Sequence, residues 1–155
     1  MHFNLSIYDF LPKNISLRWA DLDPNFHLRH SVYYDLATQF LVELLEEAGL
    51  TMAIMKEQGF GPVIFREECV FKKEISFGDV ISLSVNIINM REDASRWTIR
   101  QQFMRGEIFC ATLNVDGAWM DVKNRLLANP TPTIALEIMK SFPKAEGFVY
   151  ENIST

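Results

Sequence analysis

Two periodicities divide this chain. Between Ser31 and Ala48, apolar residues recur at three- and four-residue spacing: Tyr33, Leu36, Ala37, Phe40, Leu41, Leu44, Leu45 and Ala48. That spacing predicts an α-helix. Ser31 is placed to cap it, Asp35 suits the positive end of its dipole, and Gly49 is a natural stop. Apolar residues occupy much of the helix's girth, which predicts burial rather than a surface position. Downstream the period changes to two. Val63, Phe65, Cys69 and Phe71 alternate with Arg66, Glu68 and Lys72, and Phe77-Gly78-Asp79 reads as a turn. Ile81, Leu83, Val85 and Ile87 follow, then Trp97, Ile99 and Phe103, then Phe109, Ala111, Leu113, Val115 and Trp119, each set alternating with polar or small residues. Such alternation predicts antiparallel strands with one covered face.

Before the helix, Asn14 to Trp19 reads as a short strand broken by Pro24-Asn25. Thr51 to Gly61 has no clear period. Asn129-Pro130-Thr131-Pro132 ends the strand region, and a short helix is expected around Ile134 to Ser141. The predicted order is strand, one long apolar helix, then four strands. A single buried helix needs a cover, and a curved antiparallel sheet supplies one, which gives an α+β class.

Composition narrows the reading. With 155 residues, one domain spanning 1–155 is expected, and 48% hydrophobic residues allow a real core. A net charge of −5 leaves no nucleic-acid footprint. No apolar run approaches membrane-spanning length. Met1 to Ser6 lacks the basic-then-apolar pattern of a secretion signal. Cys69 and Cys110 fall in strand-like apolar segments, where buried free thiols and a cytoplasmic setting are expected. No Cys or His spacing suggests a metal site.

Chemistry concentrates at the junction between first strand and helix. Arg18-Trp19-Ala20-Asp21-Leu22-Asp23-Pro24-Asn25-Phe26-His27-Leu28-Arg29-His30 places two carboxylates and two imidazoles there. A helix start offers unpaired N–H groups and the positive end of a dipole. An aspartate is an anion at neutral pH, able to attack a carbonyl or activate a water. Asp21 is read as the carboxylate that holds the loop. His27 reads as a loop-structuring hydrogen bonder, and a zinc site built from His27, His30 and Asp23 has no specific spacing behind it.

Arg18-Trp19-Ala20-Asp21-Leu22-Asp23-Pro24 resembles the Asp-x-Asp signature of the hotdog-fold acyl-CoA thioesterases, in the 4-hydroxybenzoyl-CoA and Tol–Pal-associated branch. His27 fits the pattern of one subgroup and His30 that of another. Gly61-Pro62-Val63-Ile64, Phe77-Gly78-Asp79-Val80 and Leu126 to Pro132 extend the similarity over most of the chain. Phe26 stands where the family usually has Gly, and Arg29 where it has Asn. The resemblance implies a hotdog fold, a curved sheet around one central helix. It also implies acyl-CoA hydrolysis without a cofactor. Asp23 would be nucleophile or general base, and His30 would act through its side chain or its backbone N–H at the helix start. A homodimer joined edge to edge, or a tetramer built from it, is implied, with Val63, Ile64 and Phe65 of one subunit lining the other's acyl tunnel and His27 and Tyr33 near the substrate. Arg91 and Arg96, with Lys72 and Lys73 as further candidates, are implied to meet the CoA phosphates. Two alternatives stay open: hydrolysis of acyl carrier protein thioesters, and a non-catalytic dimer that binds an acyl or aromatic ligand.

Overall fold

The period-two segments form a single sheet. A computed structural model describes residues 12–151. Strands β1 (Lys13–Ile15), β2 (Phe60–Phe71), β3 (Ile81–Arg91), β4 (Arg96–Arg105) and β5 (Ile108–Asp121) lie in the order β1-β3-β4-β5-β2. All of these neighbours are antiparallel. A two-residue strand β6 (Leu126–Leu127) pairs antiparallel with the end of β5, and β7 (Lys144–Glu151) pairs in parallel with β3 beyond β1. Helix α1 (Val32–Glu47) lies against the inner face, and the curled sheet around it is the hotdog arrangement.

Alternation in β3, β4 and β5 converts directly into one buried and one wet face. Ile81, Leu83, Val85 and Ile87 are buried, as are Trp97, Ile99 and Phe103, and Ala111, Leu113 and Val115. The intervening residues form polar pairs on the outer face, with Thr98 Oγ1 donating to Asp116 Oδ1 (2.8 Å) and Arg100 Nε to Asn114 Oδ1 (3.3 Å). From α1, the buried side chains are Val32, Tyr33, Ala37, Phe40, Leu44 and Leu45. A C-terminal helix α3 (Thr133–Ser141) adds Ile134, Ala135, Ile138 and Met139 to the same core.

Three elements differ from expectation. The first strand ends at Ile15, and Trp19–Asp21 is a 3-10 turn, because the Asp21 carboxylate folds back onto Arg18. The unpatterned Thr51 to Gly61 contains helix α2 (Met52–Gln58), capped by Thr51 Oγ1 accepting from the Ile54 N–H (3.1 Å) and stopped by Gly59 at φ +74°. No residue of α2 is fully buried; Ile54 and Met55 pack partly buried against the core, a stripe too short to read. β7 was not expected. Lys144 at its start turns its ammonium onto the C-terminus of α3, donating to the carbonyl of Phe142 at 2.8 Å and also to that of Lys140.

Gly117 shows how tightly the inner face is filled. It sits opposite Trp97, and a Cβ there would lie 2.3–2.8 Å from three atoms of the buried indole ring. Gly117→Ala is expected to lower the unfolding free energy by about 1–3 kcal/mol through overpacking. Gly61→Ala, whose Cβ meets nothing within 4 Å, should fall within about 0.5 kcal/mol of the parent. Urea unfolding of the two variants side by side checks this.

Candidate active site

The loop before α1 is built by its two aspartates, each bonding backbone or side chain close by. Asp21 is buried, with an exposed guanidinium folded over it: Arg18 Nη2 donates to Oδ1 (2.8 Å), Nε lies 3.2 and 3.3 Å from the two oxygens, and the Arg18 backbone N–H donates to Oδ2 (2.8 Å). The Asp21 carbonyl accepts from the Arg29 N–H (2.8 Å), tying the two ends of the loop. Asp23 turns the chain instead. Its Oδ1 accepts from the N–H groups of Asn25 (2.8 Å) and His27 (3.1 Å), while its own N–H donates to the His27 carbonyl (2.8 Å). Its Oδ2 takes no hydrogen bond among the described residues. The two carboxylates therefore do not share a strand face: one is the loop's internal clasp, and the other stands in a cleft.

Phe26, at the tip of this turn, has φ +62° and an exposed ring. Left-handed backbone costs an L-residue roughly 1–2 kcal/mol, which is why glycine suits this position. The turn is anchored from outside: Leu22 bridges Leu28, His27 bridges Ser76, and the Leu28 N–H donates to the Ile75 carbonyl (2.7 Å). Arg105 holds that anchoring segment, donating to the Glu74 carbonyl (2.9 Å) and to Asp79 Oδ2 (3.2 Å), which also accepts from the Ser76 N–H. The sequence reading did not single out Arg105, whose partners lie 26 and 31 residues away.

Asp23, His30 and Tyr33 line one open cleft with Leu28, Phe71, Lys72, Lys73 and Glu74. His30 is exposed at the start of α1. Ser31 occupies the N-cap position without a capping bond, since its hydroxyl instead accepts from Arg29 Nε (3.2 Å), a correction to its expected role. The first turn of α1 thus keeps its N–H groups and dipole unscreened by that hydroxyl. Tyr33 is buried beneath the cleft, edge-on to Phe71 and Phe103 at 4.9 and 5.0 Å. Burial pushes its phenol up to about 12, so it remains neutral and cannot serve as a base.

The other expected contacts lie elsewhere in the protomer. His27 is half-buried, and its backbone closes the Asp23 turn. Along β2 a bulge between Ile64 and Arg66 sets Phe65 on the outer face, where the Arg96 guanidinium sits 5.3 Å from its ring centroid. Ile64 faces α1, so its neighbour Val63 points to the opposite side. Of the three tunnel candidates, only Ile64 therefore turns inward. Arg91 and Arg96 flank the β3–β4 turn. Arg96 is in register with Ala118 and thence Val63, eight residues from Phe71 at the cleft, or roughly 25 Å along the strand. Within one protomer the arginines and Asp23 stand at opposite ends of the sheet.

Both thiols are free, and burial raises them, Cys69 to about 11 and Cys110 in the same direction, so neither is a thiolate nucleophile. Among the described residues, no three His, Cys, Asp or Glu side chains gather where they could hold a metal ion, and no helix is long and apolar enough to cross a membrane.

The curled sheet, its central helix and the acidic loop at the helix start define a thioesterase-like hotdog protein. The sequence profile of the Thioesterase-like superfamily matches residues 17–143, and the chain belongs to that superfamily. Solved structures with the same fold include a Staphylococcus aureus protein in complex with CoA, at 14% identity and TM-score 0.77, covering 86% of this chain and 86% of its own. A 1,4-dihydroxy-2-naphthoyl-CoA thioesterase from Synechocystis is similar at 14% identity and TM-score 0.74, over 84% of this chain and 95% of its own. A hypothetical protein from Thermus thermophilus is similar at 18% identity and TM-score 0.73, over 84% and 98%. A search among curated proteins gives no match.

The Arg18–Asp21 clasp makes loop stability depend on pH. Hydrogen bonds from Arg18 hold the Asp21 carboxyl below the usual carboxylate range. Its contribution is therefore full above the unfolded-state value of about 3.9 and is lost as pH falls through the lower folded-state value. The stability gap between the parent and Asp21→Asn, measured by urea unfolding, should be constant from pH 7 to 5 and close below pH about 4. A gap that persists unchanged at pH about 2.5 would show that the clasp is not ionic.

Proposed function

We propose that this protein hydrolyses an acyl-CoA thioester to a free acid and CoA, acting as a homodimer. The observation that carries this reading is the placement of Asp23 Oδ2, free of hydrogen bonds, in a cleft shared with the start of α1, His30, Lys72 and Lys73. Membership of the Thioesterase-like superfamily supports it, as does the Asp-x-Asp pattern of the 4-hydroxybenzoyl-CoA thioesterase branch. A relative with the same fold binds CoA.

The chemistry follows from where charge moves. Oδ2 of Asp23 attacks the thioester carbonyl, expelling CoA thiolate to leave an anhydride that water opens, or it takes a proton from a water that attacks directly. In both routes negative charge develops on the carbonyl oxygen. The first-turn N–H groups of α1 and the positive end of its dipole are suited to stabilise that charge. His30 lines the same cleft and can orient water or leaving group.

Completion of the site comes from a second copy. β2 is an edge strand, with Ile64, Phe65, Val70 and Phe71 all exposed. An unprotected apolar edge of this length favours pairing. Antiparallel pairing of β2 with its own copy sets the Val63 end of one strand beside the Phe71 end of the other. The partner's Arg91 and Arg96 then approach the cleft that in their own protomer is roughly 25 Å away along the strand. In this arrangement Lys72 and Lys73 of one subunit and the two arginines of the other face the CoA phosphates.

Asp23→Asn separates chemistry from architecture. The amide oxygen can accept the same two N–H bonds, so the turn should survive, while nucleophile and base are lost. We expect at least about a hundredfold loss of kcat with an unchanged unfolding midpoint, measured by thiol release and thermal melts. Asp23→Ala should lose both. Near-parental kcat in folded Asp23→Asn would remove the assignment of Asp23, whereas a parent that releases no thiol from any thioester would leave a non-catalytic dimer that binds an acyl or aromatic ligand. Replacing Arg91 and Arg96 together by Ala should raise KM for acyl-CoA with little change in kcat, since remote phosphate contacts bind ground and transition states alike. The effect should fade at high salt and be absent for a thioester lacking the nucleotide. Parental KM at low salt would make those arginines solvated hairpin charges, leaving Lys72 and Lys73 to meet the nucleotide or a substrate that is not a CoA ester.

A further inference from the structure

The segment that receives the Asp23 turn is itself held from behind. Between β2 and β3 it closes on itself: Asp79 Oδ2 accepts from the Ser76 N–H (2.7 Å), and the Asp79 N–H donates to the Ser76 carbonyl (3.1 Å). Arg105 is the last residue of β4, in register with Ile81 at the start of β3. Its Nη1 donates both to the Glu74 carbonyl (2.9 Å) and to Asp79 Oδ2 (3.2 Å), so one guanidinium nitrogen ties both ends of residues 74–79 to the sheet. The Arg105 and Asp79 side chains are only 29% and 24% exposed, which restricts where the pair can move. Leu28 and Glu74 line the cleft beside Asp23, whereas Arg105 and Asp79 do not.

The other side of the segment meets the turn. The Phe77 N–H donates to the Phe26 carbonyl (3.4 Å), Ser76 bridges His27, and the Ile75 carbonyl accepts from the Leu28 N–H (2.7 Å). His27 is therefore shared. Its N–H donates to Asp23 Oδ1 (3.1 Å) and its carbonyl accepts from the Asp23 N–H (2.8 Å), while its partner across the bridge is Ser76. The turn also carries strain. Phe26 has φ +62° and an exposed ring, so no packing of its own compensates the left-handed backbone. Such a residue persists only where its surroundings over-determine it, and residues 75–77 are bonded directly to it and its neighbours.

We infer that Arg105 is a positioning residue: through segment 74–79 it fixes the direction of the Asp23 carboxylate without touching substrate. The inference rests on the thioesterase reading for its effect on rate, but not for its effect on the turn. Misplacing a reacting group by about 1 Å costs on the order of a hundredfold in rate. A partly exposed ion pair adds little to global stability. Loss of Arg105 should therefore reach kcat before it reaches the unfolding midpoint.

The N–H groups of Asn25 and His27 donate to Asp23 Oδ1, so they report on the carboxylate itself. In full-length Arg105→Met, native-state amide exchange at Asn25, His27 and Leu28 should accelerate at least about tenfold, with central amides of β4 and β5 unchanged. The kcat for acyl-CoA hydrolysis should fall roughly 10–100-fold, with KM within about twofold of the parent. Arg105→Lys, which keeps the charge and a donor, should recover part of both. Two double variants show whether the loss runs through the turn. Asp23→Asn with Arg105→Met should be no slower than Asp23→Asn alone. Phe26→Gly, which removes the left-handed strain, should shrink the Arg105→Met loss by about fivefold. If Arg105→Met fails to fold in a thermal melt, Asp79→Asn decides, because its amide oxygen still accepts from the Ser76 N–H while the charge facing Arg105 is gone. Unchanged exchange at the three amides would overturn the inference. So would parental kcat despite faster exchange, or a loss that adds in full to that of Asp23→Asn, and both would leave the thioesterase reading standing. A parent that hydrolyses no thioester removes that reading, and the exchange comparison then decides whether Arg105 holds the carboxylate.

Discussion

The structure depends on covering one helix. α1 carries Val32, Tyr33, Ala37, Phe40, Leu44 and Leu45 into the core, with Leu36 and Leu41 only partly covered. A flat sheet covers a narrow stripe, so β3, β4 and β5 must curl to enclose this much girth. The curl has two consequences. It leaves α1 with its first turn at the rim, where donors and dipole meet solvent. It also leaves β2 as an edge whose side chains are exposed along most of its length. The chemistry proposed for this chain uses those two places.

At the rim, one carboxylate uses one of its atoms for structure and leaves the other for the chemistry proposed. Oδ1 of Asp23 closes a turn that includes a phenylalanine at φ +62°, and Oδ2 is left over. A turn carrying that strain persists only because the surroundings over-determine it. The surroundings here are specific: the Asp21 clasp at one end, the Leu28–Ile75 bond at the other, and Arg105 behind the segment that receives it. A rigid turn fixes the direction of a short side chain, and a reactive carboxylate needs that direction fixed. Phe26 thus fits a glycine position at a cost borne by its neighbours.

Legibility in the sequence followed burial. α1 and β3, β4 and β5 were readable because each buries one face, which imposes its period on the residues. α2 only partly buries Ile54 and Met55 and left no readable period, although Thr51 and Gly59 mark its ends. β7 pairs in parallel with β3 and sets Phe148 partly buried against the core, while most of its side chains are exposed and have no reason to alternate. The site was readable as a composition, Asp21, Asp23, His27 and His30 in one short stretch, but not as a division of labour. A single residue of bulge at Phe65 reversed which face of β2 looks inward, and no periodicity announces such an insertion. Gln101 was a signal left unused: a polar residue inside an apolar row, its amide donates to the Ala37 carbonyl and ties β4 to α1.

The separation of Arg96 from Asp23 also limits how this fold can act. Sheet register fixes them at opposite ends, and no loop movement within a protomer spans roughly 25 Å of strand. The two-fold axis proposed at the β2 edge would resolve this without moving anything, because an antiparallel copy exchanges the two ends. The same operation runs the two α1 helices antiparallel, setting the acidic loop of one subunit toward the C-terminal half of the other's helix. That half carries Leu41, Val42 and Leu45, which border the inner cavity. On the proposed geometry the Asp23 carboxylate, the two arginines and the inner cavity need not be close in one chain. They need only be complementary across an axis, and selection on any one of them acts on the edge strand that joins them.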